Sequence, residues 1–314
     1  MRCLYCYQML KENEVDFHPS CSKKIFGHPV PPSLPFTVEQ MKELATQVIR
    51  SQITVTGVQP KLSLDITTGK DGPRRFTILG LPGGYILKPP TQNYPQLPEV
   101  EDLTMHLAAI AKIKAVPHSL IRLQSGELAY ITKRIDRIKN RKLHMEDMCQ
   151  LTERLTENKY QGSYEQVAKA IHKYSINPGL DVVNFFEQVL FSFLVGNADM
   201  HLKNFSILRQ PGIGPVLSPA YDMVATHIVN PKDDEDLALN LNGKKKKIKR
   251  TDFVAAFQSL KLDQKQQRNI FMKMEKSKDK WLDFIKISFL SDDFRIKYRR
   301  LIEDRFLRLK SNDQ

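Results

Sequence analysis

The sequence lacks an uninterrupted apolar run of about 18 residues, the least a membrane-crossing helix needs, so no membrane span is expected. It also lacks a charged-then-apolar leader at its N-terminus, which removes the secretory reading and makes a cytoplasmic protein the default expectation. No internal repeat is present, and no low-complexity tract beyond one lysine run. Acidic residues are scarce beside basic ones, 35 against 48, leaving a formal charge of +13. Such an excess suits an acidic partner (nucleic acid, nucleotide or an acidic protein surface) without choosing among them.

What is present is ordinary for a folded protein. The 314 residues suffice for two lobes, and 41% apolar with 26% charged residues fits a globular chain. Part of the charge lies in GKKKKIKR (243–250). That run reads either as a solvated loop before a helix or as a contact for nucleic acid or an acidic protein.

Three of the four cysteines fall in the first 21 residues, as C-x-x-C (Cys3, Cys6) followed by H-x-x-C (His18, Cys21). Two short knuckles of this spacing can fold back on one ion, and tetrahedral zinc takes four such ligands. The competing reading is a set of ordinary cytosolic thiols. Cys149 is expected to be a buried helix residue.

The pattern along the chain indicates an α+β protein. Residues 1–35 form a Cys/His module closed by GHPVPPSLPF, whose prolines stop any helix. A helix is expected over 37–52, with Thr37 as cap and Gln40 at the capping-box position. KLSLDIT, RRFTILG and GYILK read as strands separated by GKDGP and LPGG turns. A helix follows over 99–113, then two strands within 118–135 around an SGE turn. This is a small mixed lobe, taken as 36–140. From 141 to 314 the chain reads as a mostly helical lobe, with helices at 144–153, 163–175, 181–196, 251–261 and, with breaks, 263–309. The stretch 197–245 looks irregular yet holds the unusual polar residues.

There, VGNADMHLKNFSIL (195–208) sets Asp199 and Asn204 in the spacing D-x-x-x-x-N, with His201 and Lys203 between them. SPAYDMVAT brings Asp222 eighteen residues after Asn204. Phosphoryl transfer needs a carboxylate to orient the attacking hydroxyl and accept its proton, plus a carboxamide and a second carboxylate for magnesium. Magnesium prefers hard oxygen ligands and takes few from protein. Asp199 as base with Asn204 and Asp222 as ligands meets this need. Lys88 in GGYILKPP supplies a cation for phosphates, and Glu101 on the next helix is a candidate ion-pair partner. Gly57 in TVTGVQPKLSL is a single-glycine phosphate-loop signal, which is weak alone. Each residue has a bland reading as a turn, cap or core group, but the order glycine loop, Lys, Glu, D-x-x-x-x-N and Asp points to a two-lobed, protein-kinase-like enzyme.

Seven segments, ITVTGVQPKLSL, YILKPP, LPEVEDLTMHLA, ITKRIDR, HMEDMCQL, GNADMHLKNFSIL and LSPAYDMVAT, run in one order over about residues 50–230. In that order the chain resembles the HipA family of bacterial serine/threonine kinase toxins. The resemblance implies a fold distantly related to protein and lipid kinases, ATP and magnesium as cofactors, and an aminoacyl-tRNA synthetase as substrate. By position it implies Asp199 as catalytic base, Asn204 and Asp222 as magnesium ligands and Lys88 as the phosphate-binding lysine. Thr56, Gly57, Val58, Gln59 and Lys61 fall in the phosphate loop, Lys133 and Ile135 at the adenine hinge, and His201 and Lys203 in the catalytic loop.

Two departures carry further expectations. Only the short Cys/His module precedes the kinase core, as in HipT, the short toxin of three-gene HipBST-like systems. This implies a HipS-like small antitoxin and a HipB-like antitoxin through which any DNA contact would be indirect. Where the family has a phosphorylated serine, this chain has Thr54 and Thr56, so self-phosphorylation is expected on one of them, with Ser51 as the remaining alternative. Two other function classes stay open: a catalytically silent kinase-like scaffold bound to a DNA-binding antitoxin, and a small-molecule or lipid kinase.

Overall fold

The computed structural model describes residues 1–51, 61–68, 74–78, 83–138 and 141–310, with backbone alone for 45–51. Two compact units are present. The first comprises Met1–Asp102, Val116–Ile135 and Ile287–Leu290; the second comprises Leu103–Ala115, Asp136–Lys286 and Ser291–Gln314. The Cys/His module is part of the first unit.

In that unit, α1 (Pro19–Phe26) and α2 (Val38–Ser51) precede β1 (Leu62–Thr68), β2 (Arg74–Ile78) and β3 (Tyr85–Lys88). Helix α3 (Leu97–Ile110) begins in this unit, and β4 (His118–Arg122) and β5 (Leu128–Lys133) complete the sheet. The strands form one antiparallel sheet in the order β2-β1-β3-β5-β4. Register sets Leu62 beside Leu87 and Leu87 beside Ile131, a buried cross-strand row. Burying each such side chain contributes about 1.5–3 kcal/mol. Phe26 of α1 packs edge-on against Phe76 of β2 at 5.7 Å, and Phe76 against Tyr85 at 5.4 Å, so the module shares the sheet's core. Thr37 and Gln40 exchange hydrogen bonds at the start of α2, the capping box expected there.

The second unit opens with the hairpin β6 (Arg137–Ile138) and β7 (Arg141–Lys142), then β8 (Met145–Asp147) and the single turn α4 (Met148–Leu151). Residues 144–153 are therefore not one helix. Met145 and Asp147 pair with Leu208 and Ser206, and the Asp147 carboxylate caps α4 through the Gln150 N–H, so the helix starts directly after the strand. Cys149 is buried in α4. Next come α5 (Tyr164–Tyr174) and α6 (Pro178–Val195). The stretch that looked irregular contains a hairpin, β9 (Ser206–Gln210) and β10 (Gly214–Leu217), in a sheet ordered β10-β9-β8, and the short α7 (Thr226–Val229). Four helices follow: α8 (Arg250–Ser259), α9 (Gln264–Glu275), α10 (Lys278–Lys286) and α11 (Asp292–Lys310).

Helix α6 is the axis of this unit. By length and composition it could cross a membrane, but 72% of it is buried inside the protein. Phe185 meets Phe205 at 4.9 Å, Phe186 meets Phe257 at 5.0 Å and Phe191 meets Trp281 at 5.4 Å. A core helix in a helical unit needs an apolar surface nearly all round, which explains why this one is so hydrophobic. Gly196 ends it with φ +70°, where a side chain would also run into Leu301. The chain thereby turns sharply into the loop that carries Asp199.

The lysine run is paired within the chain. Lys244 bonds Asp252 at 2.8 Å, Lys245 lies 3.6 Å from Glu235 and Lys246 bonds Asp234 at 2.6 Å. The acidic stretch 233–236 and the start of α8 thus offset much of its charge, which favours the solvated-loop reading.

Candidate active site

The first unit supplies a buried cation. Lys88 closes β3, where it lies opposite Tyr130 of β5, and is 4% exposed. Its Nζ lies 2.5 Å from Glu101 Oε1 on α3 and 5.4 Å above the Tyr130 ring. Glu101 is itself buried, so each charge is held by the other in a place with little water. The adjacent Asp102 accepts from Tyr7 Oη and is bonded to His118 Nδ1, both at 2.7 Å. The start of α3 is thus fastened to the Cys/His module on one side and to β4 on the other.

Other nucleotide residues expected in this unit fall as follows. Thr54, Thr56, Gly57, Val58 and Gln59 lie outside the described residues. Lys61 is exposed just before β1. Lys133 ends β5 with its N–H donated to the Pro117 carbonyl at 2.9 Å, and Ile135 is half-buried two residues on.

The second unit holds the D-x-x-x-x-N loop in a dense set of bonds. The Asp199 N–H donates to Asn197 Oδ1 at 3.1 Å, and the Ala198 N–H to Thr226 Oγ1 at 2.9 Å. The Asp199 carbonyl accepts from the His201 N–H at 2.8 Å and from Asn204 Nδ2 at 2.9 Å. The first and last residues of the spacing are therefore locked together. With its amino group so engaged, Asn204 has its carboxamide oxygen left for a hard cation.

His201 is 6% exposed, with its Nε2 4.0 Å from Asp199 Oδ1. Burial holds its pKa below the ordinary value, against the pull of the Asp199 and Asp222 carboxylates. A neutral imidazole at that distance is not an ion-pair partner; it is a wall of the site. Lys203 reaches away to Asp147, 2.8 Å from its Nζ, which fastens the loop to the cap of α4.

Asp222 adopts φ +59°, a left-handed conformation uncommon for a residue with a side chain. Such strain persists where the surroundings enforce it. Here the preceding Tyr221 places its hydroxyl 3.0 Å from the Lys203 carbonyl and 2.5 Å from Ser206 Oγ. Asp199 and Asn204 are thus bonded directly, Tyr221 is bonded to the same loop at Lys203, and the Asp222 carboxylate acts electrostatically on His201. Tyr221 was missed in the sequence; its place before Asp222 was the one signal for it. Tyr160, whose hydroxyl donates to Asp199 Oδ1 at 2.6 Å, belongs to no motif and had no signal at all.

At the N-terminus, ligand atoms of Cys3, Cys6, His18 and Cys21 all lie within 4.8 Å of one another. His18 Nδ1 is 3.4 Å from Cys6 Sγ and 3.7 Å from Cys21 Sγ. With Zn–S bonds of about 2.3 Å, a tetrahedral edge is about 3.8 Å, so the donor set fits. His18 Nε2 sits 3.0 Å from the Met9 carbonyl, which orients the ring with Nδ1 towards the thiols.

A model of the HipA-like C-terminal domain family matches residues 53–281. Two similar chains each carry the name "Putative kinase". One, from Haemophilus influenzae, is 31% identical over 242 residues, 71% of this chain and 68% of the relative. The other, from Sinorhizobium fredii, is 32% identical over 207 residues, 62% of this chain and 50% of the relative. The chain thus spans about half to two thirds of these relatives. Among solved structures, HipA of Shewanella oneidensis, in complex with HipB and its operator DNA, superposes with a TM-score of 0.68 at 19% identity, over 90% of this chain and 73% of that one. The Helicobacter pylori proinflammatory kinase CtkA gives 0.55 at 14% identity, over 80% and 94%. The α+β fold with a mixed β/α part and a mostly helical part is therefore the HipA-like, kinase-like fold.

Proposed function

The chain belongs to the HipA-like C-terminal domain family, and from that premise we propose that it is an ATP-dependent serine/threonine protein kinase acting as the toxin of a bacterial toxin–antitoxin system. The observation that carries the reading is the Asp199 loop, in which the backbone carbonyl of Asp199 is bonded to Asn204 Nδ2. In this reading Asp199 orients the acceptor hydroxyl and takes its proton. Asn204 and Asp222 hold magnesium through oxygen, and bound magnesium supplies charge neutralisation at the phosphates. Lys88, positioned by Glu101, carries phosphate charge. Thr56, Gly57, Val58, Gln59 and Lys61 form the phosphate loop, and Lys133 and Ile135 line the adenine.

The finer assignments follow the same reading. The substrate is an aminoacyl-tRNA synthetase, whose phosphorylation blocks translation in the cytoplasm. The partners are a HipS-like and a HipB-like antitoxin, the second supported by the HipB bound in the Shewanella complex. Self-phosphorylation falls on Thr54 or Thr56. The Cys3, Cys6, His18 and Cys21 set holds one structural zinc. A silent scaffold would have no use for four polar groups held as tightly as Lys88, Glu101, Asp199 and Asn204.

The test is transfer from γ-labelled ATP to bacterial lysate protein, with Asp199→Ala as control and mass spectrometry of labelled proteins and of residues 51–56. Labelled lipid or metabolite in place of protein would move the chain to another kinase class.

A further inference from the structure

The catalytic carboxylate of the proposed kinase is already in contact with a hydroxyl. Tyr160 Oη donates to Asp199 Oδ1 at 2.6 Å, a short, charge-assisted bond. The contact is built rather than incidental. The Tyr160 ring stands edge-on to His201, with centroids 5.0 Å apart, and the Lys159 ammonium lies 5.0 Å above it. The Lys159 carbonyl accepts from the Leu202 N–H at 3.1 Å, so the Tyr160 loop is tied by backbone to the catalytic loop. Burial, and then the Asp199 charge, push the phenol well above its ordinary pKa, so it stays a donor through the neutral range.

A base in phosphoryl transfer must receive its hydrogen bond from the acceptor hydroxyl. One oxygen of Asp199 receives it from Tyr160 instead. We propose that Tyr160 is an internal stand-in for the acceptor hydroxyl, a gate with which an incoming protein side chain competes at Asp199 Oδ1. Residence of the phenol lowers affinity for the acceptor without touching the groups assigned to ATP. The inference rests on the kinase reading. It adds a residue that selects acceptors by their ability to compete for Asp199.

The test uses the full chain and Tyr160→Phe, which keeps the ring on His201 and removes only the hydroxyl. Transfer from γ-labelled ATP is measured against a dilution series of heat-treated bacterial lysate, beside ATP hydrolysis without acceptor. Losing a competing bond to a charged group should lower the half-saturating acceptor concentration by roughly tenfold to a hundredfold. KM for ATP, the basal rate of ATP hydrolysis and Tm should be unchanged. Unchanged or slower transfer by Tyr160→Phe, with active wild type, overturns the gate and leaves the kinase standing. In that case a lower kcat at constant acceptor affinity makes Tyr160 a positioning residue for Asp199. No transfer by either protein overturns both readings.

Discussion

Breaking the Lys88–Glu101 pair from one side should damage the protein more than deleting it whole. Glu101→Ala leaves an ammonium that is 4% exposed without its carboxylate. Removing one partner of a buried pair costs about 3–5 kcal/mol, because the remaining charge loses its bonded carboxylate in a place with little water. The Tyr130 ring, 5.4 Å from Nζ, softens this by about 0.5–1 kcal/mol. The double change Lys88→Met with Glu101→Leu fills the same space with apolar groups and should return stability to within about 1 kcal/mol of wild type, or above it. Activity should not return, since the cation assigned to phosphate is gone. Urea unfolding followed by circular dichroism, beside labelled-ATP transfer, reads both. A cost under about 1 kcal/mol for Glu101→Ala would refute the burial argument, and transfer by the double variant would refute the assignment of Lys88.

The N-terminal module and the C-terminal helix each give a prediction. Protein purified without chelator should contain about one zinc per chain. Cobalt should replace it with the absorption of a tetrahedral thiolate site, and Cys21→Ser should lose both metal and several degrees of Tm; wild-type protein without metal would leave the cysteines as plain thiols. In α11, Arg308 Nη2 bonds Asp236 at 2.6 Å, and Arg305 pairs with the same carboxylate. Burial opposes ionisation of Asp236, but the Arg308 bond and the Arg305 charge outweigh it and hold its pKa at about 2. The folded value lies below the unfolded one of about 3.9, so the stabilisation is complete above that pH and is lost as pH falls towards 2. That is about 2–3 kcal/mol of acid-labile stability. Asp236→Asn should lower stability at pH 7 and flatten this acid limb; an acid limb identical to wild type would refute it.

Much of this was legible in the sequence because local patterns carried it. The capping box at Thr37 and Gln40 and the short apolar strand of YILK each act within a few residues. So do the knuckle spacings, which bring His18 Nδ1 to 3.4 Å from Cys6 Sγ. The order of Lys88, Glu101, Asp199, Asn204 and Asp222 pointed to phosphoryl transfer because that chemistry needs those groups. What was not legible depends on partners far along the chain. Met145–Asp147 reads as helix until Ser206–Leu208 is there to pair with it. The lysine run leaves a solvated loop and an acidic-partner contact both open until Asp234, Glu235 and Asp252 are folded against it. Tyr160 sits in NKYQGSY, where nothing local tells a tyrosine on a catalytic carboxylate from any exposed one.

The central claim is that Asp199 is the base of a protein kinase, and one measurement reaches it most directly. Purified wild type and Asp199→Ala are incubated with γ-labelled ATP, magnesium and bacterial lysate, and label in protein is followed with time, with circular dichroism confirming that both are folded. Wild type should label a small set of proteins, and Asp199→Ala should be slower by about two to four orders of magnitude. Transfer by folded Asp199→Ala at a rate near that of wild type would contradict the account.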